Sequence, residues 1–416
     1  MAGRMGGLGE DVDLLRFQEE AQVIEGAPVA PPQSPGEWAK ANLFSSPLNS
    51  AVTVVVGAFV LFVVFQLLNF VFVDAQWRVV QVSMKGYMLG GFPIEEAWRV
   101  WLCAYLVAAL AGLSAGTTGV RFRWTPTRLI AAVIAAAVAL VVIGYTTQTW
   151  LPRLLTAGAL ATVVVGVLLG RLFETRLRRP LIVAWILVFP AIIVIVRAFD
   201  GVPPSQWEGF FFNIIAATVG IAASFPIGIL LALGRRGNLP AVRAVCVIFI
   251  EIFRGVPLVA WLIFAKFVVD LLLPPQFEVP DIIKAFIAMT MFSAAYVGEI
   301  VRGGLQGVQD GQYEAARALG LSPTKMIALV ILPQALRSTI PAMISHFISL
   351  FKDTSLFIAI EVTDLLAATR RSANALEFLG QDTETLLFAA LLFWAVAFSM
   401  SRWSQRLELR LGVGER

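Results

Sequence analysis

Charged residues, histidine and cysteine are scarce in this 416-residue chain. Only 14% of the residues are charged, and the sequence contains one histidine and two cysteines. Cys103 and Cys246 lie far apart in the sequence, so their spacing predicts neither a disulfide framework nor a metal site. His346 offers a single imidazole, and we expect it to be a hydrogen-bonded packing residue rather than a metal ligand.

Signatures of catalysis and secretion are also absent from the sequence. It contains no Gly-x-x-x-x-Gly-Lys-Ser/Thr phosphate loop, so we expect that the chain does not hydrolyse ATP by that mechanism. No Ser/His/Asp or metal constellation is discernible, which argues against a membrane enzyme and leaves no catalytic candidates. Residues 1–50 lack a basic region followed by an apolar stretch, and no cleavable signal peptide is therefore predicted.

Apolar residues dominate the remainder of the chain. Over the full 416 residues they make up 58% of the sequence, and a helix needs ~20 mostly apolar residues to cross a bilayer, so the sequence predicts an all-α, polytopic transmembrane bundle. About ten spans are predicted, at residues 51–73, 100–116, 129–147, 154–170, 181–196, 210–233, 244–269, 282–301, 335–351 and 386–400.

Arginine clusters between the apolar runs predict the orientation. With ten spans, the clusters at 121–128, 171–179 and 235–243 fall on the same side as the 302–337 connection and the C-terminal tail. Loops rich in Arg and Lys stay in the cytoplasm, so both termini are predicted to be cytoplasmic. We read the net charge of +4 as orientation signals rather than as a nucleic-acid surface.

Two segments outside the spans have distinct compositions. Residues 1–50 contain several prolines and seven acidic residues, which predicts a disordered cytoplasmic leader with one short helix at 13–21. The long outer segment 352–385 contains the apolar stretch 356–360, which is too short to span. We expect that stretch to be re-entrant or interfacial.

The 302–337 connection contains a short helix with a polar and a weakly apolar side. Gln312 to Leu319 are mostly strong helix formers, and Gly320 supplies a residue that ends a helix. Pro333 suits the first turn of the following span, where its missing N–H costs nothing. Ala315, Ala316 and Leu319 offer a small surface to another protein, and Glu314 and Arg317 add charge one turn apart.

This segment resembles the permeases of ABC importers, whose signature is Glu-Ala-Ala, three residues, Gly, nine residues, Ile, one residue and Leu-Pro. The matching residues are Glu314, Ala315, Ala316, Gly320, Leu332 and Pro333, with Val330 in place of the Ile. The resemblance implies that residues 311–320 form the coupling helix, which contacts a cytoplasmic ATPase. The residues it implies for the coupling are Glu314, Ala315, Ala316, Arg317, Leu319, Gly320, Leu332 and Pro333. The alternative is an ordinary amphipathic loop helix.

Three further stretches resemble the polar amino-acid branch of these permeases, at residues 251–258, 294–304 and 352–356. The resemblance implies a type I importer core of five spans at 201–416, after an accessory region of five spans at 51–200. It also implies a multi-pass protein of the bacterial inner membrane. The expected partners are a dimeric ATP-binding subunit carrying ATP-Mg, a second permease, a periplasmic amino-acid-binding protein and membrane lipid. No cofactor is expected on this chain itself.

Ionisable residues near the span ends are candidates for the pathway or its gates. Glu251 with Arg254, and Glu299 with Arg302, stand three residues apart at the inner ends of the seventh and eighth spans. We expect these four to form ion pairs that hold the bundle in register, with direct substrate contact as the alternative. For Lys352, Asp353, Thr354 and Ser355, pathway lining and fixing of the outer loop stay open.

Two other classes of function remain open in the sequence. Ten spans in two groups of five would suit the inverted repeat of an ion-gradient-driven secondary transporter, although the two halves lack matching broken helices. A sensor or scaffold would fit the long leader but leaves the coupling helix unexplained.

Overall fold

A computed structural model of the chain describes residues 34–117, 150–274, 276 and 279–411. These residues are helical, and the only β pairing among them is an isolated bridge between Gly209 and Asp364. The predicted all-α fold class is confirmed. The chain divides into two compact units, Met1–Ala75 and Gln76–Arg416.

The first unit contains helix α1 (Pro35–Asn42), helix α2 (Pro47–Asn69) and a π turn at Phe70–Asp74. Ser34 caps α1 in a reciprocal capping box with Glu37, so the last part of the predicted disordered leader is helical instead. Residues 1–33, with the predicted helix at 13–21, lie outside the described residues. None of the α2 residues is buried, which suits a helix whose whole surface is apolar.

The second unit begins with four helices of the accessory region. They are α3 (Arg78–Leu89), α4 (Ala97–Thr117), α5 (Trp150–Leu172) and α6 (Glu174–Arg197). Helices α4 and α5 touch through two Gly-x-x-x-Gly pairs, and a Cβ at Gly116 would lie 2.4 Å from the Val167 carbonyl oxygen. Small residues at this spacing let two membrane helices approach closely.

The remaining helices form the core. They are α7 (Gly209–Arg236), α8 (Pro240–Gly255), α9 (Leu258–Phe267), α10 (Val269–Leu272), α11 (Asp281–Gln306), α12 (Asp310–Ala318), α13 (Pro323–Met326), α14 (Leu332–Asp353), α15 (Leu365–Ala373) and α16 (Asp382–Leu411). Helix α11 is the central one, since 72% of its most apolar 18-residue window is buried. Its alanines and glycines allow α7, α8, α9 and α14 to pack around it.

The span count differs from the predicted ten. Within the described part of the chain, seven helices are long and apolar enough to cross a membrane, and a bent pair makes eight. The predicted third span at 129–147 lies outside the described residues. The predicted fifth span falls within α6, whose apolar part, Val183–Arg197, is shorter than the seven.

The predicted seventh span is broken rather than continuous. Helices α8 and α9 meet at an angle of 102°, with Val256 in an extended conformation between them. The cause is local, because Pro257 disfavours a helical backbone at the residue before it. The two helices together are apolar enough for one span, so their overall hydropathy does not reveal the break, although Glu251, Arg254 and Gly255 directly precede it.

The predicted ninth span is longer than expected and changes its winding twice. Helical residues run from Pro323 to Ile360, with a π turn at Ile327–Ile331 and a 3₁₀ segment at Thr354–Ile360. Pro333 lies in the first turn of α14, as predicted, although helical residues of the same span precede it. The π turn just before it accommodates a residue that has no N–H to donate.

The stretch at 356–360 continues this span as part of the 3₁₀ segment and is not a separate re-entrant or interfacial element. Phe357 and Ile360 are buried in the core, and the segment ends at Glu361. Lys266 of α9 binds both the Ile360 carbonyl and the Glu361 carboxylate, at 2.8 and 2.6 Å.

Helix α3 is attached to the start of the core. The Tyr87 hydroxyl and the Ser372 hydroxyl of α15 are hydrogen-bonded at 2.5 Å, and the Glu208 carboxylate accepts from the Gly91 amide at 2.6 Å. Gly209, the first residue of α7, has φ +65°, and a Cβ there would lie 2.7 Å from the Tyr87 carbonyl oxygen. The residue must therefore be glycine on both conformational and steric grounds.

Candidate coupling helix and ion-pair network

Helix α12 presents a mixed polar and apolar surface on the outside of the protein. Glu314, Ala315, Arg317 and Leu319 are all exposed, and Leu319 retains 80% of its accessible surface. Gly320 ends the helix in the left-handed conformation at φ +70°, as the sequence predicted. A large apolar side chain beside two opposite charges is suited to contact another protein.

Ala316 does not belong to that surface. It is 2% exposed and packs in the cluster that contains Met326, Ile331 and Ala335. The prediction that Ala316 contacts a partner is therefore wrong, since its side chain faces this chain. Its small size lets α12 lie close against the π turn and α14. The two end residues of the signature are placed differently, with Leu332 half-buried in the same cluster and Pro333 exposed.

Two polar side chains on α12 attach it to three long helices. Arg236, in the last turn of α7, donates to the Tyr313 hydroxyl at 3.0 Å, and the Tyr313 hydroxyl donates to the Leu305 carbonyl of α11 at 3.3 Å. Gln334 of α14 donates to the Gln312 side chain at 3.0 Å. A displacement of α12 therefore acts on the ends of α7, α11 and α14 together.

The four predicted charges at the inner span ends are joined by a fifth, Arg235, into an ion-pair network. Glu299 of α11 contacts Arg302 at 2.5 Å, Arg235 of α7 at 3.3 Å and Arg254 of α8 at 3.6 Å. The described partner of Glu251 is Arg235, at 3.1 Å, and not Arg254 one turn along the same helix. The network therefore ties three helices together, as an ion pair across the bundle would.

A strip of polar and aromatic side chains continues from this network into the core. The Arg254 guanidinium lies 5.5 Å from the ring centre of Tyr296, which stacks on His346 at 5.3 Å. His346 Nε2 and the Ser293 hydroxyl are 2.9 Å apart, and Ser293 donates to Ser224 at 2.9 Å. His346 is thus a hydrogen-bonded packing residue, as predicted. The strip joins α7, α11 and α14 at membrane depth.

The segment 352–355 contributes one buried residue to a polar node at the opposite ends of the spans. Asn213 of α7 donates to the Thr354 hydroxyl at 3.0 Å and to the Asp364 carboxylate at 3.3 Å, and its own carbonyl accepts from the Leu365 amide. Thr354 is fully buried, whereas Lys352 is exposed and Asp353 and Ser355 are half-buried. For Thr354, fixing of the loop is the role that these contacts support.

Asp364 is buried, and no cation is among its hydrogen-bond partners in the described part of the chain. Its carboxylate accepts from the Ala367 amide at 2.8 Å and from Asn213, while Arg371 binds the neighbouring Thr363 hydroxyl at 2.8 Å. Burial raises the pKa of Asp364 to about 6 despite these bonds. Sequence reasoning missed Asn213, Asp364 and Arg235, since only their spatial neighbours distinguish them.

Comparison with known proteins finds membrane components of transport systems. Residues 224–413 match the family described as binding-protein-dependent transport system inner membrane component. Over 238 residues the chain is 44% identical to the inner membrane amino-acid ABC transporter permease protein YhdY of Escherichia coli strain K12. That alignment covers 56% of this chain and 65% of YhdY.

A second relative extends through the accessory half. The chain is 32% identical over 410 residues to the glutamate/glutamine/aspartate/asparagine transport system permease protein BztC of Rhodobacter capsulatus, covering 90% of this chain and 93% of BztC. Among solved structures, a crystal structure of an amino acid ABC transporter with histidines matches with a TM-score of 0.44 and 24% identity. It covers 49% of this chain and 92% of that one.

The raised pKa of Asp364 predicts a pH-dependent contribution to stability. Because the folded chain binds this proton more tightly than the unfolded chain, whose pKa is near 3.8, the contribution is greatest below pH 4. It falls as the pH rises to about 6, by about 3 kcal/mol at most. We expect Asp364→Asn to weaken the fall in melting temperature between pH 5 and pH 7, measured on the purified complex. Asp200→Asn, at an exposed residue, is the control. An unchanged pH profile in Asp364→Asn would contradict the assignment.

Proposed function

This chain belongs to the family of binding-protein-dependent transport system inner membrane components, and we propose that it moves polar L-amino acids into the cytoplasm in an ATP-driven importer. It is a multi-pass membrane protein of the inner membrane, with both termini in the cytoplasm. The observation that carries the proposal is α12, an exposed helix held by side-chain contacts to α7, α11 and α14.

The chain works with other subunits in this proposal. A dimeric ATP-binding subunit, which carries ATP-Mg, docks on the exposed side of α12, because this chain has no phosphate loop of its own. A second permease, either another copy or a related chain, completes the type I pathway, and a periplasmic binding protein delivers the amino acid. The names of two relatives support the substrate class. YhdY is named for amino acids, and BztC for glutamate, glutamine, aspartate and asparagine.

Two adjacent arginines connect the docking helix to the ion-pair network. Arg236 binds Tyr313 of α12, while Arg235 binds Glu251 and Glu299. Both lie in the last turn of α7, so a movement of α12 that pulls on Arg236 also displaces Arg235. We assign to the network the role of a latch at the inner ends of α7, α8 and α11. The latch opens when the ATPase moves α12.

The ion-gradient-driven alternative lacks comparable support. The family match begins at residue 224 and covers only the second half, which fits a separate core with an added region rather than two equivalent halves. An inverted repeat would require the break between α8 and α9 to recur in the first group of spans.

The substrate class is tested with the reconstituted complex of permeases, ATPase and binding protein. ATP hydrolysis is measured against a panel of acidic, amide, basic and apolar amino acids. We expect stimulation by polar members and none by apolar ones, because the binding protein releases only its own ligand to the pathway. Uptake that continues in ATP-depleted vesicles under an ion gradient would contradict the proposal.

The docking role of α12 is tested by changes on its exposed side. Glu314→Lys reverses a charge at the expected contact, and Gly320→Pro cannot adopt the left-handed conformation that ends the helix. We expect both variants to insert normally and to abolish ATP-driven uptake. Glu174→Lys, the same change at an exposed residue of α6, is the control and retains uptake. Normal uptake by Glu314→Lys would count against the docking surface.

The latch is tested by removing the carboxylate that contacts three arginines. Glu299→Gln leaves Arg235, Arg254 and Arg302 with one countercharge fewer, and we expect ATP hydrolysis without binding protein to rise while uptake falls. Glu251→Gln, which removes only one contact at a more exposed site, should have a smaller effect of the same sign. If the two variants differ only in melting temperature and both keep coupled hydrolysis, the network is structural and not a latch.

A further inference from the structure

An apolar cavity of about 530 Å³ lies between the accessory helices and the core. Its walls come from the end of α3, one side of α4, the second half of α6 and the first half of α7. Among the lining residues, only Trp101, Cys103 and Thr218 carry a side-chain N–H, S–H or O–H group. Its size is in the range of ligand sites, which is roughly 300–1,000 Å³.

Water is not a suitable occupant of this cavity. A buried water molecule needs 2–4 polar partners, whereas the three polar side chains are set among apolar ones such as Ala104, Ile193 and Ile215. Four helices bound the space at membrane depth, where the surrounding solvent is hydrocarbon. An apolar ligand therefore fits the lining.

The length of the cavity along the helices favours a lipid chain over a protein helix as its occupant. Its lining residues on α7 run from Phe210 to Val219, which at 1.5 Å per residue is about 13 Å, and those on α4 run from Val100 to Ala108, about 12 Å. A bilayer core is ~30 Å thick, so the cavity occupies the depth of one leaflet. A transmembrane helix from residues 118–149 or from a second subunit would need the full thickness.

The four lining helices meet one membrane surface together, because α3 and α6 end there and α4 and α7 begin there. Arg99, at the start of α4, donates to the carbonyls of Ile195 and Ala198 at the end of α6, and the Gly209 backbone lies against Tyr87 of α3. The cavity therefore begins at one surface and ends near the bilayer centre. A molecule anchored at that surface with an apolar chain pointing inward would follow its walls.

A cation is available at this surface. Lys85 of α3 is exposed, and its contact with the Gly90 carbonyl at 2.7 Å uses one of the three hydrogens of its ammonium group. It stands one helical turn before Leu89, which lines the cavity. An anionic phosphate can accept from the other two hydrogens.

We propose that the cavity binds an acyl chain of a membrane phospholipid, whose phosphate lies at Lys85. The lipid fills the joint between α4, α6 and α7, so the accessory region contacts the core partly through a bound lipid. This inference depends on membrane residence and not on the transported substrate. It gives the accessory region a ligand of its own.

The proposal is tested with the full complex in bilayers that contain a phosphatidylglycerol or phosphatidylethanolamine with a photoreactive diazirine at mid-chain. After irradiation, we expect lipid adducts on the peptides with Ala104 and Ile215. The variant Ala104→Phe/Ala108→Phe fills the cavity and should lose these adducts. Ala157→Phe/Ala161→Phe, the same pair of changes at two exposed residues of α5 outside the lining, is the matched control and should retain them.

A second measurement does not depend on the folding of the filled variant. A photoreactive phenylalanine in place of Ile215 should capture phospholipid in the otherwise unchanged protein. Capture of residues 118–149 or of the second permease instead would overturn the proposal, and so would equal adducts in the filled and control variants. Lys85→Gln should reduce the yield for both headgroups if the phosphate is bound, and an unchanged yield would overturn that part.

Discussion

The close packing of α7 on α11 is the contact on which the rest of the structure depends. Gly228 lies against Val297 and Ala294, where an added Cβ would come within 2.6 Å of the Val297 side chain, and the carbonyl of Gly228 faces Gly298. Membrane helices gain little from the hydrophobic effect on each other, so such a fit supplies the attraction. The same two helices carry the ion-pair network at one end, and α7 carries the node around Asn213 at the other.

The sequence predicted what depends on local pattern and missed what depends on distant neighbours. The core spans and the helix ended by Gly320 follow from apolar runs and from helix-terminating residues, and the structure contains them. The break before Pro257 is a property of one dipeptide in a stretch whose overall hydropathy is that of a single span. Asn213 and Asp364 are 151 positions apart, and no periodicity connects them. The direction of Ala316 also required tertiary packing, since an alanine suits either side of α12.

The charges of the core are arranged so that the free-energy cost of removing them from water is small. Three arginines and two glutamates form the inner network, so it retains one net positive charge, and Glu299 is the carboxylate shared by all three arginines. Each of these side chains lies near a helix end, where water is closer than at the bilayer centre. One glutamate thus determines whether the remaining charges are compensated, which makes its contacts the sensitive point of the inner surface.

Gly209 has a consequence for how such a protein could be assembled from parts. A Cβ at this residue would lie 2.7 Å from the Tyr87 carbonyl oxygen, so the first residue of the core must leave room for the accessory helix α3. A core that stands alone meets no such restriction at that position and accepts a larger side chain if its backbone is rearranged. The accessory half therefore constrains the core sequence, because a core joined to α3 in this geometry requires a glycine as its first residue.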